Sequence, residues 1–356
     1  RCTCTRFIGG KKWSGFSKSI GRILEISDYA TSGLGGPTRA DKSHEGDEAT
    51  DFIDFIRNIG SPRDKKFGGG TYGYGKSSLW QNSLCSTVCV HTSTKDNGQF
   101  VERFIGCRIG KPFQNSESRF TGRHWWGRQS EDGIVEPVTG NEASEIAENL
   151  GLNPRPIGDQ NKMGTTLLII DPITEERSNE QMFNLFKETL LWFFWPKMID
   201  TNEKIFMNFE IGLDGELQTV NNPQNHPPIN LMIDAYNKII HKDDTHYETI
   251  KWKYDTLGYL ATEKFGTNKK DLLDTGEEDN ENLIPEVCHH IALMRKWGGI
   301  VKYLKGPQIP DQFMEYGGIF ITDDSSDDTF AKSEPPAHDD WIAESLSGKE
   351  KYHVRT

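Results

Sequence analysis

The run Phe67-Gly68-Gly69-Gly70-Thr71-Tyr72-Gly73-Tyr74-Gly75-Lys76-Ser77-Ser78-Leu79 is a glycine-dense loop that leads into a helix-compatible segment. Glycines let backbone N–H groups turn inward around an anion, and a helix N-terminus adds the positive end of its dipole. Lys76 adds a mobile positive charge beside the loop. The stretch therefore predicts a phosphate-binding loop, for which there are two candidate nucleotide-binding architectures.

The first candidate is a P-loop. Residues 70–77 satisfy G-x-x-x-x-G-K-[ST], in which the lysine reaches the β- and γ-phosphates and the hydroxyl takes Mg²⁺. That motif needs a buried strand that leads into the loop, whereas residues 58–66 are polar and broken by Pro62. The run from Leu167 to Asp171 comes nearest to a Walker B strand, but Pro172 follows its single acid. A P-loop nucleotidase is therefore the minor alternative.

The second candidate rests on three separated motifs. Residues 22–27 roughly alternate apolar and polar side chains, as a half-buried strand does, and Asp28 follows them. The segment 29–37 is rich in small residues, and the glycine loop comes after a polar stretch. Much later, Gly164-Thr165-Thr166 leads into an apolar run. An acid at a strand end can accept a hydrogen bond from an exocyclic amine while small residues bend the chain around a flat base.

This order of motifs resembles the GHKL ATP-binding fold of DNA gyrase B subunits, MutL-type mismatch repair proteins, MORC-type ATPases and heat-shock chaperones. Asp28 with Gly33 resembles the first glycine box of that family, and Gly164-Thr165 the third. The second box corresponds to the glycine loop. The candidate cofactor-binding residues are Asp28, Gly33, Gly35, Gly70, Gly73, Gly75, Lys76, Ser77 and Thr165.

The resemblance implies a role for each motif and names ATP and Mg²⁺ as cofactors. Asp28 would bind the adenine amino group, and Thr165 would support it through a water. Residues 36–73 would form an ATP lid, and the backbone of residues 73–77, with Lys76, would hold the β- and γ-phosphates. A closed lid would favour pairing with a second subunit. Metal-assisted attack of water on the γ-phosphate would then reopen the clamp.

The sequence departs from the family pattern in two places. Tyr29-Ala30-Thr31-Ser32 separates the acid from Gly33, where the family has a glycine sooner. Family members also carry an earlier helix whose glutamate activates water and whose asparagine holds Mg²⁺, but residues 1–21 contain no Asn, Asp or Glu. We expect the chain to start inside the domain or to lack part of it, since it has no initiating Met.

The catalytic residue is therefore unassigned. Glu145-Ile146-Ala147-Glu148-Asn149 lies after the first box and is expected to be a solvated helix. A nucleotide-gated interaction protein that binds ATP without hydrolysis is the main alternative function. A GHKL-type histidine kinase is disfavoured because no histidine-bearing dimerisation helix is visible.

Composition limits the class of protein. The 356 residues are enough to form two domains. No run of the sequence approaches 18 consecutive apolar residues, and this predicts a cytoplasmic protein without a membrane span. The net charge of −12 argues against a protein that grips DNA through its own surface, so DNA contact would need a partner. A basic cluster at residues 119–128 includes His124-Trp125-Trp126, whose tryptophans are expected to anchor a loop. The six cysteines form no zinc or disulfide framework, which indicates reduced thiols.

The remaining pattern predicts an α/β (α+β) protein with two domains. Residues 1–200 would be a GHKL-type ATP-binding α/β sandwich, and residues 201–356 a transducer-like α/β domain with a C-terminal extension. The expected helices are 77–81, 141–152, 179–195 and 228–241, with the third packed on the first sheet and ended by Pro196. The expected strands are 87–92, 100–110, 167–170 (closing that sheet), 205–211, 215–220, 287–294, 299–304 and 316–322, with an exposed acidic loop at 266–282.

Three features of the second half suggest further sites. In transducer domains a basic residue reaches back to the γ-phosphate, and Arg295 or Lys296 could do so here, although a solvated hairpin tip is the preferred interpretation. His338-Asp339-Asp340 could bind a metal, but a capped turn that docks Trp341 and begins a helix over 341–346 explains it better. His289-His290 is interpreted as core histidine rather than a metal site. The extension also resembles bacterial ATP-binding proteins of restriction-like, phage-defence gene clusters.

Overall fold

The computed structural model describes residues 2–8, 22–42, 49–58, 74–199, 207–241, 246–267, 273–276, 282–296, 298–311 and 313–356, with only the backbone of residues 2–8 and 74. The chain is a mixed α/β protein with several sheets, which confirms the predicted α+β class. None of its described helices is both long and apolar enough to cross a membrane.

The chain divides into two compact units near, but not at, the predicted boundary at residue 200. The first unit comprises Arg1–Asp64, Gly70–Asn179 and Phe209–Thr219, and the second comprises Lys65–Gly69, Glu180–Asn208 and Val220–Thr356. The long helix that we expected on the first sheet therefore belongs to the second unit, and the hairpin after residue 208 belongs to the first.

The first unit is mostly sheet. Its strands are β1 (Cys2–Ile8), β2 (Ile23–Tyr29), β3 (Thr87–Asp96), β4 (Gln99–Ile109), β5 (Phe113–Gln114), β6 (Arg119–Phe120), β7 (Arg123–Trp126), β8 (Arg128–Gln129), β9 (Val135–Glu136), β10 (Val138–Thr139), β11 (Gly164–Ile170), β12 (Asn208–Leu213) and β13 (Glu216–Thr219). Its helices are α1 (Ser77–Gln81) and α2 (Asn141–Asn149), with a π-helical turn at Ile53–Arg57 and a 3₁₀ turn at Tyr74–Lys76.

The main sheet has the order β10-β4-β3-β11-β2-β1-β12-β13, and β7 pairs with β4 beside β10. β11 is antiparallel to both β2 and β3. The sequence predicted that this strand closes the sheet, which is wrong, because β11 lies between β2 and β3. Its central position brings the end of β2 beside a strand that follows it by more than a hundred residues.

Helix α2 covers one face of the sheet. Ala143 and Ala147 are 0% and 2% exposed, and these small residues let the helix backbone approach the strands closely. Glu145, Glu148 and Asn149 are exposed, as expected for a solvated helix face. The sheet residues packed beneath the helix include Ile23, Phe104, Val138 and Leu168.

The second unit contains a five-stranded sheet. Its elements are α3 (Asn179–Met198), α4 (Ile229–Ile240), β14 (Glu248–Trp252), β15 (Asp255–Gly266), β16 (His289–Met294), β17 (Ile300–Lys305), β18 (Met314–Thr322), α5 (Asp327–Ser333) and α6 (Gly348–Arg355). The strand order is β14-β15-β18-β16-β17, and only the β16–β18 pair is parallel. Helix α4 packs on β15 and β18, and its approach is close because β18 carries Gly317, where a Cβ would lie 3.0 Å from the Leu231 Cβ.

Helix α3 is held within the second unit by aromatic contacts. Trp192 stacks on Tyr303 with ring centroids 3.9 Å apart, and the Trp195 indole N–H donates to the Tyr303 hydroxyl at 3.1 Å. Pro196 lies in the last turn rather than ending the helix at residue 195, and the Trp192 carbonyl, which the missing N–H of Pro196 leaves without its helical donor, accepts from the Tyr303 hydroxyl. These stacked rings explain why the aromatic run belongs with this unit.

The C-terminal segment differs from its prediction. Only a 3₁₀ turn, Ala343–Ser345, forms where a helix over 341–346 was expected, and the helix begins later, as α6. The Asp340 carboxylate accepts from the Trp341 backbone N–H at 2.8 Å, but no side chain caps the 3₁₀ turn, so the predicted cap is not found. Trp341 docks on Phe330, with ring centroids 4.6 Å apart.

Candidate functional site

Asp28 and Thr165 meet at the ends of neighbouring strands. The Thr165 backbone N–H donates to Asp28 Oδ1 at 3.1 Å, and the Thr31 hydroxyl donates to the same oxygen. Gly164 precedes this contact with φ +140°, and a Cβ there would collide with the Asp28 carbonyl and carboxylate oxygens. Only glycine therefore lets the two strands approach so closely. The two outer motifs that the sequence singled out, Asp28 and Gly164-Thr165, lie side by side.

Asp28 belongs to a row of polar residues that crosses four strands. Thr165 pairs with Thr92, and Thr92 pairs with Arg103. Continuing the register of β2 and β11 by one residue places Asp28 opposite Thr165. Directly opposed residues of an antiparallel pair share a face, so all four side chains lie on the face opposite α2. The next two rows on this face are apolar, Ile26, Leu167, Val90 and Ile105, then Leu24, Ile169, Val88 and Cys107.

The segment after Asp28 runs over this polar row. The Thr92 hydroxyl accepts from the Leu34 N–H at 2.9 Å, and the Thr94 hydroxyl donates to the Ser32 carbonyl at 2.8 Å. Gly33 has φ +63°, and a Cβ there would collide with the Ser93 carbonyl oxygen. At Gly35 a Cβ would lie 3.1 Å from the Thr94 hydroxyl. The close packing of this segment on β3 thus requires glycine at Gly33, and at Gly35 it leaves little room for a side chain.

Arg155 braces Asp28 from the other face of the sheet. Its guanidinium donates to the Asp28 carbonyl, the Thr166 hydroxyl and the Lys162 carbonyl, each at 2.8 Å. It also lies over the Tyr29 ring, 4.4 Å from the centroid. Arg155 is only 2% exposed, and burial lowers the pKa of its guanidinium from the usual value. Main-chain carbonyls and an aromatic face thus compensate a buried cation at the strand end.

A second buried arginine fixes the residues that follow Gly33. Arg103 donates to the Leu34 and Gly36 carbonyls at 3.2 and 2.7 Å and pairs with Asp96 at 2.6 Å. Desolvation lowers the pKa of this guanidinium, which is 3% exposed. The guanidinium carbon of Arg103 lies 5.5 Å from the centre of the Phe52 ring. Arg103 therefore links the sheet, the segment over it and residues 49–58.

The segment 49–58 covers part of the site face. Phe52 and Ile56 are 0% exposed, and the Phe52 N–H donates to the Gly35 carbonyl at 3.0 Å. Gly36 lies so close to the Ala49 carbonyl that a Cβ would collide with it. This segment lies within the lid predicted for residues 36–73, whose parts 43–48 and 59–73 are outside the described residues.

The end of the glycine loop adjoins this segment. Lys76 donates its ammonium hydrogens to the Asp54 carbonyl and, at 3.1 Å, to the Asn58 carbonyl. Gly75 is exposed, and a Cβ there would meet no described atom within 4 Å. Ser77 begins α1, which has only five residues. Of the loop's other predicted site residues, Gly70 and Gly73 lie outside the described residues.

Sequence reasoning missed the residues that hold the site together. Thr92 and Arg103 follow no local motif, because their place beside Asp28 depends on the register of three strands. Arg155 has a local signal, since Pro154 and Pro156 flank it and fix an extended loop just before the third motif. A lone arginine between prolines and ahead of a glycine-threonine pair would have been a reasonable site candidate.

Other predicted sites lie elsewhere. Arg295, in the second unit, pairs with Asp327 at 2.7 Å, and its side chain is only 12% exposed. It is therefore not part of a solvated hairpin tip, as we had expected. The side chain of Lys296 is 54% exposed, in agreement with that expectation. His338 contacts Glu334 at 2.6 Å. Buried His289 stacks on Tyr316, in agreement with a core histidine. Across the described residues, no group of three His, Cys, Asp or Glu side chains is placed to hold a metal ion.

The aromatic cluster of the first unit fits the predicted anchored loop only in part. Trp125 is half-buried beneath Arg57, whose guanidinium lies 4.4 Å from the ring centroid. Trp126 is 51% exposed. One tryptophan of the pair therefore anchors β7, and the other faces solvent.

No protein-family model and no curated protein sequence matches this chain. The function is therefore inferred from the site.

Proposed function

We propose that the first unit binds ATP at Asp28 in the manner of a GHKL module. The observation that carries the proposal is the junction of Asp28 with Gly164-Thr165, two motifs far apart in sequence. Both hydrogen bonds to the carboxylate use Oδ1. Among the described residues Oδ2 accepts none, so it can accept from an exocyclic amine.

With the six-position of the base turned toward Asp28, as the resemblance implies, adenine is the base that this arrangement favours. Its six-position carries an amino group that donates hydrogen bonds, whereas guanine carries a carbonyl oxygen there. A carboxylate oxygen attracts the first and repels the second. The Thr165 hydroxyl, which contacts Thr92 at 3.1 Å, supplies a further polar group beside the base.

The phosphates would lie at the end of the glycine loop. Gly75 has open space at its Cβ position, so packing against the described residues does not require glycine there. A glycine without a packing reason suits a backbone that a ligand approaches closely. Lys76 would turn from the Asp54 and Asn58 carbonyls toward the phosphates, which couples their binding to the segment 49–58. The P-loop alternative is less favoured because residues 58–66, which lead into the loop, are polar and broken by Pro62.

We further propose that ATP orders residues 36–73 and that the closed lid favours pairing with a second subunit or with an effector that acts on DNA. Hydrolysis needs a general base that residues 1–21, without Asn, Asp or Glu, do not supply. ATP binding without hydrolysis is therefore the second candidate function.

Calorimetric titration with ATP and GTP tests the proposal. We expect 1:1 binding of ATP and weak or no binding of GTP. Asp28→Asn keeps an oxygen for Thr31 and Thr165 but replaces Oδ2 with a donor, so ATP affinity should fall by about tenfold to a hundredfold, as for a lost charged hydrogen bond.

The matched control is Asp171→Asn, at the opposite end of β11. Its φ of +52° is a conformation that Asn adopts readily. This variant should bind ATP like the parent chain. Unchanged ATP affinity in Asp28→Asn, with the fold intact by circular dichroism, would mean that the site is misassigned.

A further inference from the structure

We infer that one edge of the first sheet binds single-stranded nucleic acid. The binding surface lies on residues 108–128, which lead from the end of β4 through the β5–β6 pair to β7 and β8. It combines exposed aromatic rings with basic side chains, and it is named the edge surface below. None of the residues predicted to bind the nucleotide belongs to it, so the inference is independent of the proposed function.

The β5–β6 pair presents two phenylalanine rings to solvent. Phe113 and Phe120 are opposite each other in the pair, and their rings stack with centroids 4.8 Å apart. The His124 ring of β7 is parallel to the Phe113 ring within 3°, at a centroid distance of 5.8 Å. Phe113 is nevertheless 46% exposed and Phe120 is 42% exposed, and all four residues of β5 and β6 are exposed. The two phenylalanine rings therefore lie on the surface rather than in the core.

Trp126 adds a supported ring on the neighbouring strand. The β4–β7 register places Trp126 opposite Gly106 and His124 opposite Arg108, so these four residues share one face. A Cβ at Gly106 would lie 3.1 Å from an indole carbon, which means that the ring lies against the β4 backbone. Trp126 is still 51% exposed. A flat ring that the sheet supports and that solvent reaches is a platform on which a base can stack.

Positive charge is concentrated on the same segment. Residues 108–128 contain four arginines, one lysine and a single acid, whereas the whole chain has a net charge of −12. All five basic residues are exposed. Of these five, Arg128 alone forms an ion pair with a residue that the structure describes, Glu142 of α2. The charges of Arg108, Lys111 and Arg119 are therefore available to phosphate groups.

Single-stranded nucleic acid is the partner that meets both requirements. Its backbone carries negative charge, and its unpaired bases expose ring faces that stack on aromatic side chains. A duplex offers the charge but keeps its bases stacked on each other, and an acidic peptide offers the charge without the rings. The inference departs from our expectation that DNA contact would need a partner. Salt screens exposed charges beyond about 10 Å, so the local positive charge of the edge surface outweighs distant acids.

Fluorescence anisotropy with labelled oligonucleotides tests the inference on the full chain without nucleotide. We expect saturable binding of dodecathymidylate with a Kd of about 10 µM at about 50 mM NaCl, within the range of sequence-independent binding. Raising NaCl to about 200 mM should weaken binding by about tenfold to twentyfold, as for about three phosphate contacts. A duplex of the same length should bind about fivefold more weakly, because its bases cannot stack on the rings.

The same titration with dodecauridylate distinguishes RNA from DNA. Stacking and phosphate contact are common to both strands, and only the 2′-hydroxyl differs. Saturable binding of either strand supports the inference, and the ratio of the two affinities identifies the preferred strand.

Substitutions of the rings locate the contact. Phe113→Leu and Trp126→Leu keep an apolar side chain but remove the flat ring, and each should weaken single-strand binding by about fivefold to tenfold. Phe265→Leu is the matched control, because Phe265 is 55% exposed on β15 of the second unit. It should bind like the parent chain. Circular dichroism checks the fold of each variant, and if Trp126→Leu loses it, Phe113→Leu decides the question.

Arg119→Gln separates phosphate contact from stacking. It removes one exposed charge, so the slope of log affinity against log salt concentration should fall in magnitude by about 0.7. Arg355→Gln, at an exposed arginine of α6, should leave this slope unchanged. The two ring variants should also keep the parent slope, since they remove no charge.

Any of three results would overturn the inference. One is the absence of saturable binding of both single strands at low salt. Another is parent-like affinity in both ring variants with the fold intact. The third is displacement of the oligonucleotide by an equal concentration of polyglutamate of the same charge, which would show that the surface binds acidic peptides through charge alone.

Discussion

The backbone N–H of Thr165 donates to the carboxylate of Asp28, a residue 137 positions earlier in the sequence. The bond joins the end of β2 to the beginning of β11, and Gly164 makes it possible by letting the strands approach. Asp28 is thereby held in one position, and in the part of the chain that the structure describes its hydrogen bonds engage one carboxylate oxygen only. The predictions below test this geometry and its surroundings.

Gly164→Ala should disrupt the junction. The added methyl would collide with two oxygens of Asp28, and an L-residue is strained at φ +140°. We expect a loss of about 3 kcal/mol or more in the free energy of unfolding, measured by urea denaturation. Gly98→Ala separates the two causes, since Gly98 has φ +79° but no described atom within 4 Å of the Cβ position. Gly98→Ala should lower the free energy of unfolding by only about 1 kcal/mol. Equal losses would exclude the collision.

Arg155→Met should destabilise the first unit. The change removes the buried donor to the Asp28 and Lys162 carbonyls. We therefore expect the free energy of unfolding to fall by about 2 to 4 kcal/mol. Arg108→Met is the control, because Arg108 is exposed and its one hydrogen bond to a described residue goes to the Cys85 carbonyl. The free energy of unfolding of Arg108→Met should stay within about 0.5 kcal/mol of the parent value. Similar urea midpoints for the two variants would contradict a bracing role for Arg155.

Lys76→Met should loosen the segment 49–58. Its bonds to the Asp54 and Asn58 carbonyls would be lost, and amide hydrogen exchange in this segment should rise about tenfold. Lys95→Met, which removes a lysine over the Phe100 ring, should leave this exchange unchanged. On the proposed function, Lys76→Met also weakens ATP binding more than ADP binding. Equal weakening would argue against contact with the γ-phosphate.

Two cysteines of the first unit should resist alkylation. Burial raises the pKa of the Cys89 thiol to about 12 and that of Cys107 to about 11. Because the thiolate is the reactive form, at pH 8 only about one Cys89 in ten thousand would be ionised. Iodoacetamide labelling read by peptide mass spectrometry should modify both only after unfolding in urea. Rapid labelling of either thiol in the native chain would contradict their burial.

Glu188 should make the second unit less stable as the pH rises. Burial raises the pKa of this carboxyl, although the Leu273 and Leu283 backbone N–H groups act in the opposite direction. A carboxyl whose pKa is higher in the folded chain stabilises the fold at pH values below its ordinary pKa. That contribution is lost as the pH rises through the pKa of the folded state. The Tm of Glu188→Gln, measured by calorimetry, should therefore rise relative to the Tm of the parent chain as the pH increases from about 4 to about 7.

Glu180→Gln is the control for this pH dependence, because Glu180 lies on the same helix but is exposed. Its Tm should follow that of the parent chain across the range. A Glu188→Gln curve parallel to the parent curve would show that Glu188 contributes nothing to the pH dependence.

Local patterns predicted both α-helices and six of the thirteen described strands of the first unit to within a few residues, and they missed β1 and the short strands β5 to β10. The alternation before Asp28 and the apolar run after Gly164 depend only on neighbouring residues, and both are strands. The strands β14 and β15 were missed, because their many polar residues weaken the apolar pattern. The assignment of α3 to the second unit could not be predicted, since it depends on Trp192 meeting Tyr303 from a distant strand.

The candidate site was predictable only in its outline. Asp28, Gly33 and Gly164-Thr165 stand out because glycine and acid at strand ends are visible locally. The polar row through Thr92 and Arg103 depends on strand register, which no single segment specifies. The bracing by Arg155 combines a loop with two strands, and so it appears only in three dimensions.

The central position of β11 has a consequence for folding. Asp28 leaves the ribosome well before Thr165, and β2 cannot acquire its β11 neighbour until residues 164–170 have been made. Closing so long a loop is entropically costly and slow. The carboxylate therefore reaches its final geometry only late in the folding of the unit. On the proposed function, recovery of ATP binding during refolding should thus follow the slowest step of sheet assembly.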